Sequence, residues 1–527
     1  MSSALNFSDI PSLRQKLGPL TGDIAPVTTP IMFKSPRCFH KPPAKSFQHR
    51  LSQEALSRGS ATLKTAGTEL NADVISLATG RPAPEYFPFL NMTLDFPQSS
   101  NFTEDDQNSS LSETIGKSDI KTNKASYDLA ISLNYGYSAG SEQLIRFFTE
   151  HVDVVRNPPY SDWQCSLTAG TTSALDSVFR TLCNRGHYIM TEAYTYSAAL
   201  EAARPFGIRS IGVQMDEEGM VPAHLDNLLS GWDVSERGAS KPFLLYIIPT
   251  GQNPTGTTQS LQRRKDIYAV AEKHDLYIIE DEPYYFLQFQ TQKTEVYANS
   301  DQPPRSDPKL VETFLNNLIP SYLSLDVSGR VLRLDSTSKI LAPGLRCSWM
   351  TGSADIISRF LYLHDATIVS PSGLSQLALH TLLDGVWGHE GFVKWLLYLR
   401  DEYTQRRNIT LESCSKYLPR NICSWSVPEA GMFHWIKVDW RVHSLAAAYS
   451  KADYVAGNII LKTEDRIYST ALKKGVLCCK GSAFRAGGVQ GCEIYFRVTY
   501  ATASLPQIEE AIARFGMAIK EEFEVGV

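Results

Sequence analysis

No stretch of this 527-residue chain holds the ~20 consecutive apolar residues that a membrane-spanning helix needs. The longest apolar runs, such as "FLLYII" at 243–248, are strand-sized. Charge of one sign is not in excess either. Lys and Arg number 51 against 56 Asp and Glu, interspersed, so no broad basic face is offered to nucleic acid or to an anionic membrane. The nine cysteines include no C-x-x-C pair and no His/Cys cluster at zinc spacing. That excludes a disulfide framework and a structural zinc site, and it suits a reducing compartment. The adjacent Cys478 and Cys479 read as a buried strand feature. The first fifty residues lack the apolar core of a signal peptide and carry Asp9 and Asp23, unlike a transit peptide, so a cytoplasmic location is expected.

What is present is a soluble globular composition, 43% hydrophobic and 20% charged, in a chain long enough for two lobes. Residues 1–50 are rich in Pro, Ser and Thr without sustained periodicity and read as a mobile lead-in. Residues 98–127 and about 290–325 read as polar surface insertions. Between them, short apolar strands alternate with amphipathic helices. In "WQCSLTAGTTSALDSVFRTLCNRG" a strand ends at Gly170, after which Leu175, Val178, Phe179, Leu182 and Cys183 share one helical face. Near-continuous apolar strands in this alternation predict an α/β fold with a mostly parallel sheet covered on both faces. After about 390 the pattern shifts toward a smaller α+β lobe.

Ligands of such sheets sit beyond the carboxyl ends of the strands, and three groups fall there. Gly170-Thr171-Thr172 opens a helix and offers N–H groups and hydroxyls to an anion. Asn253 ends its strand within "GQNPTG", and Asp281 follows the apolar run "LYII" and a glutamate. Each alone is ordinary: a helix cap, a turn, a solvated carboxylate. A fourth stretch, "DSTSKILAPGLRCSW" at 335–349, sets Lys339 after Ser338, with Arg346 seven residues on. A surface lysine needs neither neighbour. Taken in order, Gly170, Asn253, Asp281, Lys339 and Arg346 suit one aromatic, phosphorylated cation.

On these residues the chain resembles the fold-type I, pyridoxal-phosphate-dependent aminotransferases of class I/II. More narrowly it is similar to fungal aromatic-amino-acid and 2-aminoadipate aminotransferases and to mammalian kynurenine/2-aminoadipate aminotransferase. The match runs from about Arg58 to Ala503, strongest in "YIIPTGQNPTG", "IIEDEPYYFLQF", "DSTSKILAPGLRCSW" and "EAGMFHWIKV". The resemblance implies a large domain at 131–388 with a seven-stranded-type sheet and a small α+β domain at 389–527. It leaves 56–130 as the N-terminal part of the small domain with its substrate loop, and 1–55 as a flexible arm.

The resemblance also implies roles. Lys339 would carry the cofactor covalently and then move a proton between the substrate α-carbon and the cofactor. Asp281 would hold the ring nitrogen protonated, while Asn253 and Tyr284 bond the ring oxygen and Tyr196 stacks on the ring. Thr171, Thr172, Ser336, Ser338 and Arg346 would hold the phosphate, joined by Tyr135 from the neighbouring subunit of an obligatory homodimer. Arg497 would take the substrate α-carboxylate, with Gly80, Arg58 and Asn253 beside the substrate. No metal is implied. The expected reaction moves an amino group from an aromatic or 2-aminoadipate-like L-amino acid to a 2-oxo acid, 2-oxoglutarate foremost. The chain departs from the family at "RGSATLK", which lacks the usual prolines, and at "AGSEQL", which also lacks one. It departs again at Arg81, where relatives usually carry an apolar residue; Arg81 is therefore a candidate reader of a distal carboxylate or polar group. Two alternatives stay open. A β-lyase or aminocyclopropane-carboxylate synthase would share Lys339, Asp281 and Arg497. A regulator using the fold to bind an effector would need a DNA-binding module, and residues 1–57 show no helix-turn-helix pattern.

Overall fold

Four strands, Leu244–Ile247, Tyr277–Asp281, Val331–Ser336 and Ser348–Ser353, have every residue buried, the condition for sheet strands covered on both faces. The computed structural model describes residues 5–60, 80–98, 102, 110–289, 309–444, 453–487 and 493–525. Its large sheet has seven strands: β1 (Trp163–Thr168), β2 (Tyr188–Glu192), β3 (Arg209–Val213), β4 (Leu244–Ile247), β5 (Tyr277–Asp281), β6 (Val331–Ser336) and β7 (Ser348–Ser353). Their spatial order is β1-β7-β6-β5-β4-β2-β3. β2 to β6 pair in parallel, and β7 runs antiparallel to both β6 and β1. The carboxyl ends of the parallel strands therefore share one edge.

Side chains alternate across this sheet with period two. Leu244, Tyr246, Tyr277, Ile279, Leu332 and Leu334 join a core with Leu175, Val178 and Phe179 of helix α2 (Thr171–Leu182). Leu245, Ile247, Ile278 and Val331 face the opposite core with Ile267 of helix α3 (Leu261–His274). Helix α1 (Glu142–Val155) packs through Phe147 and Phe148 into a third cluster with Trp349.

A 30-residue helix α4 (Gly388–Tyr417) leads to the smaller sheet. Its antiparallel strands β8 (Cys423–Ser424), β9 (Phe433–Val438), β10 (Cys479–Lys480) and β11 (Ile494–Thr499) lie in the order β8-β9-β11-β10. Helix α5 (Asp453–Lys473) lies between β9 and β10 in the chain, and helix α6 (Leu505–Glu522) follows β11. Ile436, Val438, Ile494 and Phe496 pack with Ile467, Phe515 and Ile519 of those helices, each such burial stabilising by ~1.5–3 kcal/mol. Phe433, on the other face of β9, joins the core of the large sheet instead. That alternation turns the face bearing Phe433, Trp435 and Arg497 toward the large lobe, with Trp435 directly opposite Arg497.

Three expectations are corrected. The arm is packed along its described length, not free: Phe7, Ile10, Leu13 and Phe33 enter the cluster around Phe147, and Phe47, Leu51 and Ala55 enter the core around α2. Arg14 of the arm pairs with Glu150 and Asp384, each at 2.6 Å. The anchors sit on separate short pieces, an eight-residue helix at Ile10–Leu17 and single turns such as Pro30–Phe33 and Gln53–Ser57, too brief for a sustained periodicity. The second insertion is also shorter than read. Helices at Leu310–Asn317 and Tyr322–Leu325 are part of the lobe, and the Tyr322 and Leu323 amides donate to buried Glu280 at 2.7 and 3.2 Å. Residues 290–308 lie outside the described residues. Finally, the described part of the polar 98–127 stretch lies at the surface as read, its Ser110–Gly116 strand mostly exposed and paired antiparallel with Asn91–Pro97, but its anchor is not the small lobe. Ile115, Tyr127 and Leu129 pack on Leu377, which sets this segment with the large lobe and not with the small one. Among the described residues no helix is long and apolar enough to cross a membrane.

Candidate active site

At the N-terminus of α2, Gly170 adopts φ 92°, and a Cβ there would collide with Nη2 of Arg346. Glycine is required by both the backbone and the close approach. Thr171 Oγ1 lies 3.3 Å from Ser348 Oγ, which donates at 3.2 Å to Ser336 Oγ, which in turn accepts the Ser338 amide at 3.1 Å. Arg346 sits in the left-handed region at φ 47°, its Nη1 tied to the Pro343 carbonyl at 2.9 Å. Helix-end N–H groups, three hydroxyls and a guanidinium thus form one anion cup. Thr172 stands exposed at its rim. Ser348 was missed in the sequence because it reads as strand interior; only its pairing with Ser336 across β6 and β7 brings it in.

Asp281, 3% exposed, ends β5 on the face that carries Tyr277 and Ile279. Its Oδ2 accepts from Tyr246 Oη at 2.7 Å, while Oδ1 is buried without a partner. Burial pushes its pKa up to about 6, against the lowering pull of the Tyr246 hydrogen bond. Tyr246 was hidden within "FLLYII", where it reads as core. Beside this acid, Tyr284 is buried edge-on to Phe433, ring centroids 5.6 Å apart. Tyr196 caps the short helix Ser197–Ala203 and packs against the same core.

Arg497 of β11 completes the cleft from the small lobe. Its Nη1 donates to Asn253 Oδ1 at 2.7 Å and its Nη2 to Cys479 Sγ at 3.3 Å, while Nε is buried without a partner. Phe433 and Phe484 sandwich the guanidinium at 4.5 and 4.6 Å. Asn253 precedes a cis peptide to Pro254. Lys339 is solvent-exposed, yet partial desolvation by its surroundings, and after it the charge of Arg497, lowers its pKa below the ordinary lysine value.

Other predicted residues are not brought to this cluster. Arg58 pairs with Glu54 at 2.6 Å, and Glu54 also holds Arg180. Arg81 donates at 3.0 Å to the Ile24 carbonyl of the arm. A Cβ at Gly80 would meet no atom within 4 Å of this chain. Tyr135 is 59% exposed. The substrate-loop stretch 61–79 lies outside the described residues.

A family model described as aminotransferase class I and II matches residues 99–515. The chain belongs to that family. Aminotransferase swnA of Arthroderma benhamiae is 42% identical over 484 residues, 91% of this chain and 92% of that protein. An aromatic amino acid aminotransferase of Schizosaccharomyces pombe is 39% identical over 91% of this chain and 99% of its own length. The crystal structure of aminotransferase Aro8 from Candida albicans is similar with a TM-score of 0.84 at 37% identity, covering 92% of this chain and 100% of that one.

A class I/II aminotransferase is a pyridoxal-phosphate-dependent enzyme, and the residues present fit that group. The unpartnered Oδ1 of Asp281 can accept from a protonated ring nitrogen. The anion cup suits a phosphate, and Lys339, one residue after Ser338 and within the electrostatic reach of Arg497, supplies an amine.

Proposed function

We propose that this aminotransferase moves the amino group of an aromatic or 2-aminoadipate-like L-amino acid to 2-oxoglutarate, in two half-reactions at one site. The observation that carries this is the Arg497 fork. Donor and acceptor share an α-carboxylate, so one bidentate seat serves both halves, and a guanidinium flanked by two phenylalanines is such a seat. Similarity to the fission-yeast aromatic enzyme over nearly its whole length supports the aromatic donor.

When bound, the cofactor supplies an aldehyde carbon for the amino group and a ring that accepts electron density from the α-carbon. The chain does the rest. Arg497 keeps its Nη1 contact with Asn253 Oδ1 and offers the incoming carboxylate its unpartnered Nε together with Nη2, which gives up Cys479 Sγ. Lys339, its pKa lowered, would take the proton from the substrate α-carbon and deliver it to the carbon on the other side of the amino nitrogen; taking it needs the neutral amine. Asp281 keeps a proton on the ring nitrogen, and Asn253 and Tyr284 hold the ring oxygen. Tyr196 would pack against the ring, and Thr171, Thr172, Ser336, Ser338 and Arg346 would hold the phosphate. Tyr135, exposed in the single chain, reaches the phosphate of a second copy in a homodimer. The eight described cysteines are free thiols, in keeping with a cytoplasmic enzyme.

Mixing the cofactor-loaded enzyme with single amino acids tests the reading. Aromatic amino acids or 2-aminoadipate are expected to discharge the aldehyde absorbance, and 2-oxoglutarate to restore it. Discharge by neither class overturns the donor assignment; ammonia release without need of an oxo acid points instead to a β-lyase.

A further inference from the structure

Glu192 closes β2 with its side chain fully buried. Its Oε2 accepts from the Ile248 amide at 3.3 Å and from Gln252 Nε2 at 3.1 Å. Gln252, itself 1% exposed, also donates to the Tyr194 carbonyl at 2.6 Å. Its Oε1 accepts the Thr255 amide at 2.9 Å and the Thr255 hydroxyl at 2.7 Å. The Gln252 side chain therefore clamps the loop on both sides of Asn253 and Pro254, and Glu192 is the acid that holds the clamp.

The next residue, Asn253, presents Oδ1 to Arg497 at 2.7 Å. A connected path thus runs from the end of β2, through the loop after β4, to the arginine of the small lobe. Glu192 Oε1 is buried without a partner, which costs ~1–3 kcal/mol and is poor design for a purely structural strand end. Burial pushes the Glu192 pKa up to about 8, so at neutral pH it carries its proton and accepts these N–H groups as a neutral acid. An amide could do the same.

We propose that Glu192 is a positioning residue for the substrate-carboxylate seat, acting through Gln252 on Asn253 and Arg497. The proposal rests on the assignment of Arg497 as that seat, and it concerns the contact of Asn253 Oδ1 with Arg497, not the ring-oxygen contact that Asn253 makes in the proposed mechanism.

Steady-state kinetics of holoenzyme variants, with an aromatic amino acid as donor and 2-oxoglutarate as acceptor, test it. Glu192→Ala and, independently, Gln252→Ala are expected to raise KM for both substrates about tenfold. In both, kcat and the absorbance of bound cofactor stay close to the parent's. Glu192→Gln is expected to restore KM. Unchanged KM in both alanine variants, or a loss confined to kcat or cofactor retention, overturns the proposal, as does Glu192→Gln behaving like Glu192→Ala. Arg497→Lys run in parallel separates the two levels. If it leaves KM unaltered, the seat itself is misassigned; if it raises KM while the Glu192 and Gln252 variants do not, only the positioning role falls.

Discussion

The two faces of the large sheet at the end of β5 treat buried acids in opposite ways. On one face Glu280, Glu282 and Asp335 meet arginines. Arg333 binds Asp335 through two nitrogens at 2.8 and 2.7 Å and lies 3.2 Å from Glu280, and Arg264 lies 3.5 Å from Glu282. On the other face Asp281 has a tyrosine hydroxyl and an empty lone-pair direction. The paired acids are architecture, because their countercharge is built into the chain. The unpaired one is a socket, because its countercharge must come from outside. Buried charges without partners are costly, so such an exception points to chemistry.

This contrast can be broken from either side. Asp281→Ala is expected to lower kcat about 10³-fold, the scale of an uncompensated buried charge, while the cofactor-free protein keeps its fold. Asp281→Asn should even stabilise the cofactor-free protein. Its folded pKa of about 6 stands above the ordinary ~3.9, so folding takes up a proton in that window and the residue costs stability as pH rises through it. Thermal unfolding of the cofactor-free variant should therefore gain on the parent more at neutral than at acidic pH; an equal or reversed gap contradicts the socket.

On the paired face the reverse is expected. Arg333→Met leaves buried carboxylates without countercharge and should lose ~3–5 kcal/mol of stability by denaturant titration. A variant as stable as the parent would mean that this network is not architecture. Tyr246→Phe acts between the two extremes. Loss of its hydrogen bond raises the Asp281 pKa further, and kcat should fall roughly tenfold at neutral pH with KM little changed. The smallest effect concerns Lys339. Because Arg497 contributes to its lowered pKa, Arg497→Gln should move the midpoint for amine capture of the cofactor by the cofactor-free enzyme to higher pH. No shift, or a shift downward, would separate the two groups.

Much of the socket was readable in the sequence because its members end strands or open helices within distinctive short stretches. Asp281, Lys339, Asn253, Thr171 and Arg346 are of this kind, and the strand periodicity predicted the sheet that gathers them. The second layer was not readable. Tyr246 and Ser348 look like strand interior, and Glu192 looks like an acid leaving a strand; their partners lie on other strands, and pairing order is not written locally. The Arg81 hydrogen bond to the Ile24 carbonyl was likewise not readable, because the arm that takes it has no periodicity by which to place it.

The most direct test is the nitrogen NMR shift of ring-labelled pyridoxal phosphate in the parent enzyme and in Asp281→Ala at neutral pH. A protonated ring nitrogen in the parent and an unprotonated one in the variant is the expected result. The same nitrogen state in both proteins would contradict it.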